Sequence, residues 1–376
     1  MHRLLRFTFA LLFASAVVLA ASARVASAAN DPTLEWKTIT TKHFRITFYS
    51  GEREAAEHIA DLAESIHERL VPYLGYEPSL TEIVLTDQTD SANGSATALP
   101  FNTVRLFLTA PDDLSPLGDV DDWYLELLTH EYTHILHIDH IRGLPRLGNM
   151  LLGKTFSPNQ TMPRWLLEGL AIFEESSRTS GGRLRSSQWN MYMRADVLED
   201  NFASLDRFSN TPRRWPQGNL WYLYGSYMMK YVAETYGEQA LRRMVRENSA
   251  QVVPWGLNRA VRRATGATFE EMYPVWRESL RREFQAQVDA LRARGVREGV
   301  RITRHGQGAL NPRFIPEGTF EGHAGDVVYF RDDGHSLGGL YTARVVRDAK
   351  GAVAGGEPKA EELLIRTASA SNATFE

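Results

Sequence analysis

The segment LTHEYTHILHIDH, residues 128–140, restricts the structure of this chain more than any other stretch. Its histidines His130 and His134 are four residues apart, so on an α-helix both side chains lie on one face and can bind the same metal ion. Glu131 lies about 100° round the helix from His130 and is long enough to reach a water molecule beside that ion. The spacing therefore predicts a helix that carries two metal ligands and a general base. The alternative is an ordinary surface helix whose histidines have hydrogen-bond partners.

The composition limits which residues can complete such a site. The chain has 376 residues and no cysteine, which excludes thiolate ligands, disulfides and a thiol nucleophile, so further ligands must be His, Asp or Glu. The formal net charge of -4 gives no basic surface for nucleic acid or for an anionic membrane, and we expect neither partner. The hydrophobic content of 43% is typical of a soluble globular protein, and the length suggests two domains.

Glu168 is the first candidate for a third ligand. Zinc hydrolases use three protein ligands and keep a fourth position for water, so one more ligand is needed. Glu168 lies in the apolar stretch WLLEGLA (165–171), where a buried carboxylate needs a cation as partner. The small residues Gly169 and Ala171 would let this helix approach the motif helix closely.

His140 is the second candidate, because HEYTHILHIDH has the histidine spacing of the metzincin peptidases. Their pattern has Gly at the position of His137, where the helix must end. Without that glycine a continued helix would put His140 about 15 Å along the axis from His130. The pattern therefore favours Glu168, and His137 is interpreted as a core residue or a partner of the ligands.

The N-terminus has the composition of a secretory signal. Two arginines precede an apolar run over residues 7–21, and small residues follow up to Ala28. We expect residues 1–28 to be removed, which places the mature chain in the periplasm of a bacterial cell or outside the cell, without stable membrane insertion. Cleavage after Ala23 and an uncleaved anchor are the alternatives.

Strand patterns precede the motif helix and helical patterns follow it. Residues 43–50, 82–86 and 103–108 are short β-rich runs, and from Pro163 onward the pattern is mainly helical. Residues 29–298 are therefore predicted to form an α+β domain with a small N-terminal sheet, the motif helix and a mainly helical C-terminal half. Within it, acidic residues at 121 and 122 mark the start of the motif helix, and positions 268 and 271 have capping-box spacing.

HEYTH followed downstream by WLLEGLA resembles the gluzincin zinc peptidases, and more closely the peptidase MA-like domains of bacterial envelope proteins. The similarity extends over about residues 35–295 and includes HFRITF, the stretch ANG at 92–94 and the segment that begins at Tyr222. The resemblance implies a zincin-like catalytic domain with one Zn²⁺ per chain, its ligands being His130, His134 and Glu168. The G-x-M-E-N element of the related aminopeptidases is absent, so nothing in the sequence marks recognition of a free amino end.

The resemblance also implies a function, namely a secreted zinc-dependent metallopeptidase that hydrolyses a peptide or protein substrate with Glu131 as general base. The oxyanion of such a reaction needs a donor, and Tyr222 and Tyr224 are the candidates. An aromatic stripe at this spacing is also typical of a core. The run ALPFNTVRLFLTAP (98–111) is expected to contain the edge strand along which an extended peptide pairs.

The last part of the chain, residues 299–376, changes to short strands with turn residues. NPRFIPEG (311–318) and the strands after it resemble one blade of a TolB-like β-propeller, and propellers close with about four to eight blades. We expect the beginning of a propeller, with an unrelated β-rich tail as the alternative. This segment supports a rival function: a catalytically silent, zincin-like binding or scaffolding protein of the cell envelope that contacts a protein partner through the propeller.

Overall fold

The computed structural model describes residues 31, 33–111, 115, 117, 120–210, 219–253, 256–296, 298–305, 308–319 and 322–367. The predicted signal segment, residues 1–28, lies outside the described residues. No described helix is both long enough and apolar enough to cross a membrane.

A five-stranded mixed sheet forms the N-terminal part and has the strand order β1-β2-β3-β5-β4. Its strands are β1 (Trp36–Thr40), β2 (Phe44–Tyr49), β3 (Thr81–Thr86), β4 (Gly94–Thr97) and β5 (Thr103–Phe107). The three central strands are parallel, whereas β1 and β4 are antiparallel to their neighbours and lie at the edges. The three β-rich runs of the sequence thus form β2, β3 and β5.

Two helices, α1 (Arg53–Leu74) and α2 (Trp123–Ile138), pack on this sheet. Alternation along the central strands buries side chains such as Ile46, Leu85 and Leu106 against the apolar face of α1. The Asp122 side chain caps α2 by accepting hydrogen bonds from the backbone amides of Tyr124 and Leu125. The predicted start of the motif helix is therefore confirmed.

The chain after α2 is mainly helical, as predicted. Its helices are α3 (Gly143–Leu152), α4 (Arg164–Arg178), α5 (Ser187–Leu198), α6 (Leu205–Ser209), α7 (Asn219–Tyr236), α8 (Glu238–Asn248), α9 (Leu257–Thr265) and α10 (Phe269–Ala293), with short 3₁₀ turns at Pro158–Thr161 and Arg183–Arg185. The predicted capping box of α10 is formed, since the Glu271 carboxylate accepts from the Thr268 amide at 2.8 Å and the Glu271 amide donates to the Thr268 hydroxyl at 3.4 Å.

A second, four-stranded antiparallel sheet contains β6 (Gly308–Phe314), β7 (Val327–Asp332), β8 (Gly339–Arg347) and β9 (Val353–Arg366) in sequential order. The fold class is α+β, in agreement with the sequence. The described residues contain no closed propeller, so the propeller stays a prediction.

The described residues divide into two compact units. The first contains the five-stranded sheet and continues to Trp276, apart from a few interruptions such as residues Arg194–Phe202. The second contains those residues and the chain from Arg277 onward, with the four-stranded sheet. All residues of the candidate site belong to the first unit.

Candidate metal centre

The motif helix α2 brings two imidazole nitrogens together inside the protein. The Nε2 atoms of His130 and His134 lie 3.2 Å apart, and the two rings are nearly perpendicular, at 84°. Every residue from Glu126 to Ile138 is buried, so this is not the ordinary surface helix that was the alternative. Two buried imidazoles with converging nitrogens can hold a metal ion.

The helix α4 adds a carboxylate to the same point. The Oε2 atom of Glu168 lies 3.4 Å from His130 Nε2 and 3.2 Å from His134 Nε2, so the three side chains form a compact triangle. The other oxygen, Oε1, accepts a hydrogen bond from Arg164 Nε at 3.2 Å. One carboxylate oxygen therefore faces the histidines while the second is held by an arginine one turn away.

A contact between α4 and α7 fixes the position of Glu168. A Cβ atom added to Gly169 would overlap the backbone of Gly225, and one added to Gly225 would overlap the carbonyl oxygen of Trp165. The expectation that Gly169 allows a close approach to the motif helix is wrong, because the missing side chain faces α7. The close crossing brings Tyr222, one turn before Gly225, next to the site.

His130 is held from behind by a second carboxylate. Its Nδ1 lies 2.7 Å from Glu175 Oε2, and Arg183 contacts the same carboxylate through Nε at 2.9 Å and Nη2 at 2.7 Å. All three side chains are largely buried. A carboxylate on the rear nitrogen fixes the orientation of an imidazole ligand and makes it more basic. The sequence analysis missed Glu175, although it follows Glu168 by seven residues, two helical turns further on the same face.

The charges of this cluster shift several pKa values. Burial opposes ionisation of Glu168, but the neighbouring His134 and His130 hold its pKa well below the usual range. Burial likewise opposes ionisation of Glu175, yet Arg183 and His130 lower its pKa to about 2. Burial and Arg183 disfavour charge on His130, while hydrogen bonds to Glu168 and Glu175 raise its pKa to about 9. The two glutamates thus supply negative charge that favours a bound cation.

Glu131 lies beside the triangle and faces the edge of the sheet. Its side chain is buried, and burial raises its pKa. A Cβ atom on Gly94 would lie 2.8 Å from Glu131 Oε1, so the glycine leaves the space that this carboxylate needs. Gly94 begins β4, which is the edge strand.

The strand at this edge of the sheet is therefore β4, and the prediction that the run 98–111 contains the edge strand is wrong. The run 98–111 contains β5, which lies between β3 and β4 and pairs on both sides. The sequence GSAT of β4 has low strand propensity, which explains why it is not among the β-rich runs of the sequence.

The two candidate tyrosines lie in different surroundings. The ring of Tyr222 lies 6.5 Å from that of His130, and its hydroxyl accepts a hydrogen bond of 3.5 Å from Arg164 Nη2. Burial and the nearby Glu168 raise the pKa of Tyr222, so its hydroxyl stays protonated and can donate. Tyr224 is fully buried, and its hydroxyl accepts a hydrogen bond from the Ala203 amide at 2.8 Å. The structure thus brings Tyr222 to the site and places Tyr224 in the core.

The structure does not bring His137 or His140 to the triangle. His137 is fully buried against Met162, with 3.2 Å between Nε2 and the sulfur, and burial lowers its pKa to about 3. The helix ends at Ile138 instead of continuing, and the His140 ring stacks on Tyr76 at 4.6 Å. Burial lowers the pKa of His140 to about 4, so both histidines are neutral core residues.

A second group of potential ligands, His43, His67 and Glu77, has a different geometry. The rings of His43 and His67 are stacked with centroids 3.6 Å apart and planes 11° from parallel. An imidazole binds a metal in its own plane, and one ion cannot lie in two parallel planes. The stacked rings of His43 and His67 therefore do not direct their nitrogens at one ion, whereas the nearly perpendicular rings of His130 and His134 do.

Of the comparisons with known proteins, the one with solved structures gives matches. No family model matches the sequence, and no curated protein matches it. A crystal structure of Legionella pneumophila aminopeptidase A in complex with aspartic acid aligns with a TM-score of 0.37 and 13% identity. The alignment covers 88% of this chain and 34% of that chain, so this chain spans about a third of the neighbour's length.

Proposed function

We propose that this protein is a zinc-dependent peptidase with a gluzincin-type site formed by His130, His134 and Glu168. The observation that carries the proposal is the triangle of two imidazole nitrogens and one carboxylate oxygen, with sides of 3.2, 3.2 and 3.4 Å. Zinc bonds of about 2.0–2.1 Å at tetrahedral angles separate ligand atoms by about 3.3 Å. The donor set and its spacing therefore fit one Zn²⁺ with a fourth position left for a reactant.

The remaining residues have the chemistry that peptide hydrolysis requires. A bound Zn²⁺ supplies Lewis-acid polarisation of the scissile carbonyl and makes water more acidic. Glu131 accepts the proton of the attacking water and returns it to the leaving amine, and its raised pKa makes it a stronger base. The Tyr222 hydroxyl donates a hydrogen bond to the oxyanion. β4 offers its free backbone edge beside Glu131 to an extended substrate.

Metal analysis of the full chain, combined with Glu131→Gln, tests this proposal. We expect the wild-type chain to bind one zinc ion. Glu168→Ala should weaken this binding, and His140→Ala should leave it unchanged. Glu131→Gln keeps the metal and loses cleavage of a random peptide library. A wild-type protein that holds zinc but cleaves nothing would favour the rival function, a catalytically silent binding protein. Absence of metal under zinc-replete conditions would contradict both.

We also propose a periplasmic or secreted location and a propeller-like second unit. The N-terminal composition supports the location, and cell fractionation tests it. The four antiparallel strands β6–β9 have the number and order of one propeller blade, which supports a protein-binding role for that unit. Capture of a partner by the full chain, but not by a chain that stops before β6, is the corresponding test.

A further inference from the structure

An apolar cavity of about 600 Å³ lies in the first unit, outside the metal triangle. Its lining includes Leu99, Leu144, Leu152, Phe156, Val252 and Val253. A volume of this size holds a ligand of several hundred daltons or a few side chains of a peptide. The described residues around it leave much of the lining in contact with solvent.

The helix α3, which forms one wall, exposes far more apolar surface than a solvated helix needs. Leu144, Leu147, Met150, Leu151 and Leu152 are exposed by 67, 56, 75, 85 and 68%. Val252 and Val253, which line the same cavity as Leu144 and Leu152, are exposed by 65 and 57%. A contiguous apolar surface of this kind marks a binding site.

The cavity is continuous with the edge strand that passes the candidate general base. β4 begins at Gly94 beside Glu131 and ends at Thr97, and Leu99 in the cavity wall follows two residues later. A strand rises about 3.3 Å per residue, so an extended peptide that follows β4 from Glu131 reaches the cavity after four or five residues. Thr161, three residues before Arg164, also lines the cavity.

The lining residues include no charged side chain, but the chain around α3 is basic. Residues 141–167 contain four basic residues and no Asp or Glu. Lys154 pairs with Asp139 and Arg164 with Glu168, whereas Arg142 and Arg146 have no ion pair within the described residues. The surroundings of the cavity therefore favour a ligand with apolar groups and neutral or acidic neighbours over a basic one.

We propose that this cavity binds apolar side chains of an extended peptide substrate, four or five residues from the scissile bond. The substrate class is thus an extended polypeptide segment rich in large aliphatic or aromatic residues and poor in lysine and arginine. This inference rests on the proposed peptidase function, because the edge strand connects the cavity to Glu131. The cavity residues determine specificity and take no part in the bond cleavage.

A binding experiment on the full-length Glu131→Gln variant tests the inference without turnover. The probes are fluorescent ten-residue peptides of Gly, Ser and Asp with a single Leu moved through each position, and binding is measured by fluorescence anisotropy. We expect Leu at one or two positions to raise the affinity about tenfold or more. In this background we expect Leu152→Asp and Val252→Asp to abolish that preference, and both side chains are exposed, by 68 and 65%, so their replacement leaves the core unchanged. Leu337→Asp, at a position exposed by 80% outside the cavity, retains it.

The inference would be overturned by no binding, by binding without a positional preference for Leu, or by equal losses in the Leu337→Asp control. A change of oligomeric state in Leu152→Asp with unchanged peptide affinity would assign the apolar surface to a second copy of the chain, and would overturn it too. Failure of the peptidase proposal is recognised separately. In that case the wild type binds the same peptides with the same preference but cleaves none of them.

Discussion

Three glutamates lie close to the histidine pair, and their surroundings give them different roles. Glu168 faces both Nε2 atoms, Glu175 faces the rear of His130, and Glu131 faces the glycine that begins β4. The pKa values follow these surroundings, since His134 and His130 lower the first, Arg183 and His130 lower the second, and burial raises the third. Chemically identical side chains thus have surroundings that suit the proposed ligand, the proposed support of a ligand and the proposed base.

Replacement of the Tyr222 hydroxyl tests the assignment of the oxyanion donor. In Tyr222→Phe we expect kcat to fall about 100- to 1,000-fold with KM nearly unchanged, because the hydrogen bond forms only as charge develops. Steady-state kinetics on a peptide substrate provide the measurement. Tyr224→Phe is the matched control, since that hydroxyl bonds the Ala203 amide, and we expect it to lower stability and leave kcat intact. An unchanged kcat in Tyr222→Phe would remove Tyr222 from the mechanism.

Replacement of Glu175 tests its support of the metal ligand. Glu175→Gln keeps the shape but removes the charge that orients His130, so we expect metal affinity to fall about 10- to 100-fold. Competition with a chromogenic chelator measures this change. Glu174→Gln is a neighbouring control, because Glu174 pairs with Arg178 and not with the histidines. Equal affinities in the wild type and in Glu175→Gln would show that the carboxylate acts only in folding.

Glu174 itself makes stability depend on pH. Its side chain is fully buried, and burial raises its pKa to about 7 although Arg178 opposes the shift. Since the folded pKa lies above the unfolded value of 4.5, the folded state binds more protons between pH 4.5 and 7, and stability falls as the pH rises through this range. Glu174→Gln removes this loss. We expect its stability relative to the wild type to increase from pH 5 to pH 8 by up to about 3 kcal/mol in urea unfolding. A constant difference would contradict this assignment.

The three residues of the triangle could be predicted from the sequence, but the contacts of Glu175 and Arg183 behind His130 could not. The sequence itself shows the helical spacing of His130 and His134 and the apolar run around Glu168. Both patterns indicate a metal ligand without any knowledge of the tertiary structure. Arg183 reaches Glu175 from a 3₁₀ turn after α4, and a turn of Gly, Arg and Ser has no periodicity that could place its guanidinium. Contacts of this kind depend on tertiary structure.

At the scale of elements, the crossing of α4 and α7 determines where Glu168 and Tyr222 lie. The contact depends on the two missing side chains of Gly169 and Gly225. The sequence revealed both helices, yet it did not reveal which helix the glycines face, since Gly169 allows a close approach on whichever side the fold puts it.

Gly225→Ala tests the importance of this crossing. The added methyl group would overlap the carbonyl oxygen of Trp165, so the helices must separate, and we expect a loss of about 3 kcal/mol in the free energy of unfolding. Chemical denaturation measures the loss. Gly299→Ala, where an added Cβ would meet nothing within 4 Å, is the control and should be nearly neutral. An unchanged free energy of unfolding in Gly225→Ala would show that α4 and α7 can accommodate the methyl group without separating.

The sheet was only partly readable from the sequence. β2, β3 and β5 are rich in large apolar residues, and the burial alternates along β3 and β5. β4 has no large side chain and is stabilised as a strand by pairing with β5 and by its position along the motif helix. Propensity therefore identified the interior strands and missed the edge strand that borders the site.

At the scale of the whole molecule, metal binding should couple to folding. The triangle joins α2 and α4, which lie on either side of a long connection, so an ion bound there stabilises the folded first unit and not the unfolded chain. At free zinc of about 1,000 times Kd the gain is about 4 kcal/mol. We expect a chelator to lower the Tm of the wild type, while Glu168→Ala, already weak in metal binding, shows little further shift. Equal shifts in both proteins would place the stabilising ion elsewhere.

The single helix α4 carries both Glu168 and Glu175 two turns apart, and this has a consequence for how the chain can change in length. An insertion of one residue between them would rotate one carboxylate by about 100° relative to the other. Glu168 could then not face the two Nε2 atoms while Glu175 contacts Nδ1 of His130. The connection between α2 and α4 has no such restriction, since only its ends are fixed by the site. The metal triangle therefore fixes the seven-residue spacing within α4 but not the length of the connection between α2 and α4, and an inserted residue is expected to disturb the site more in the former than in the latter.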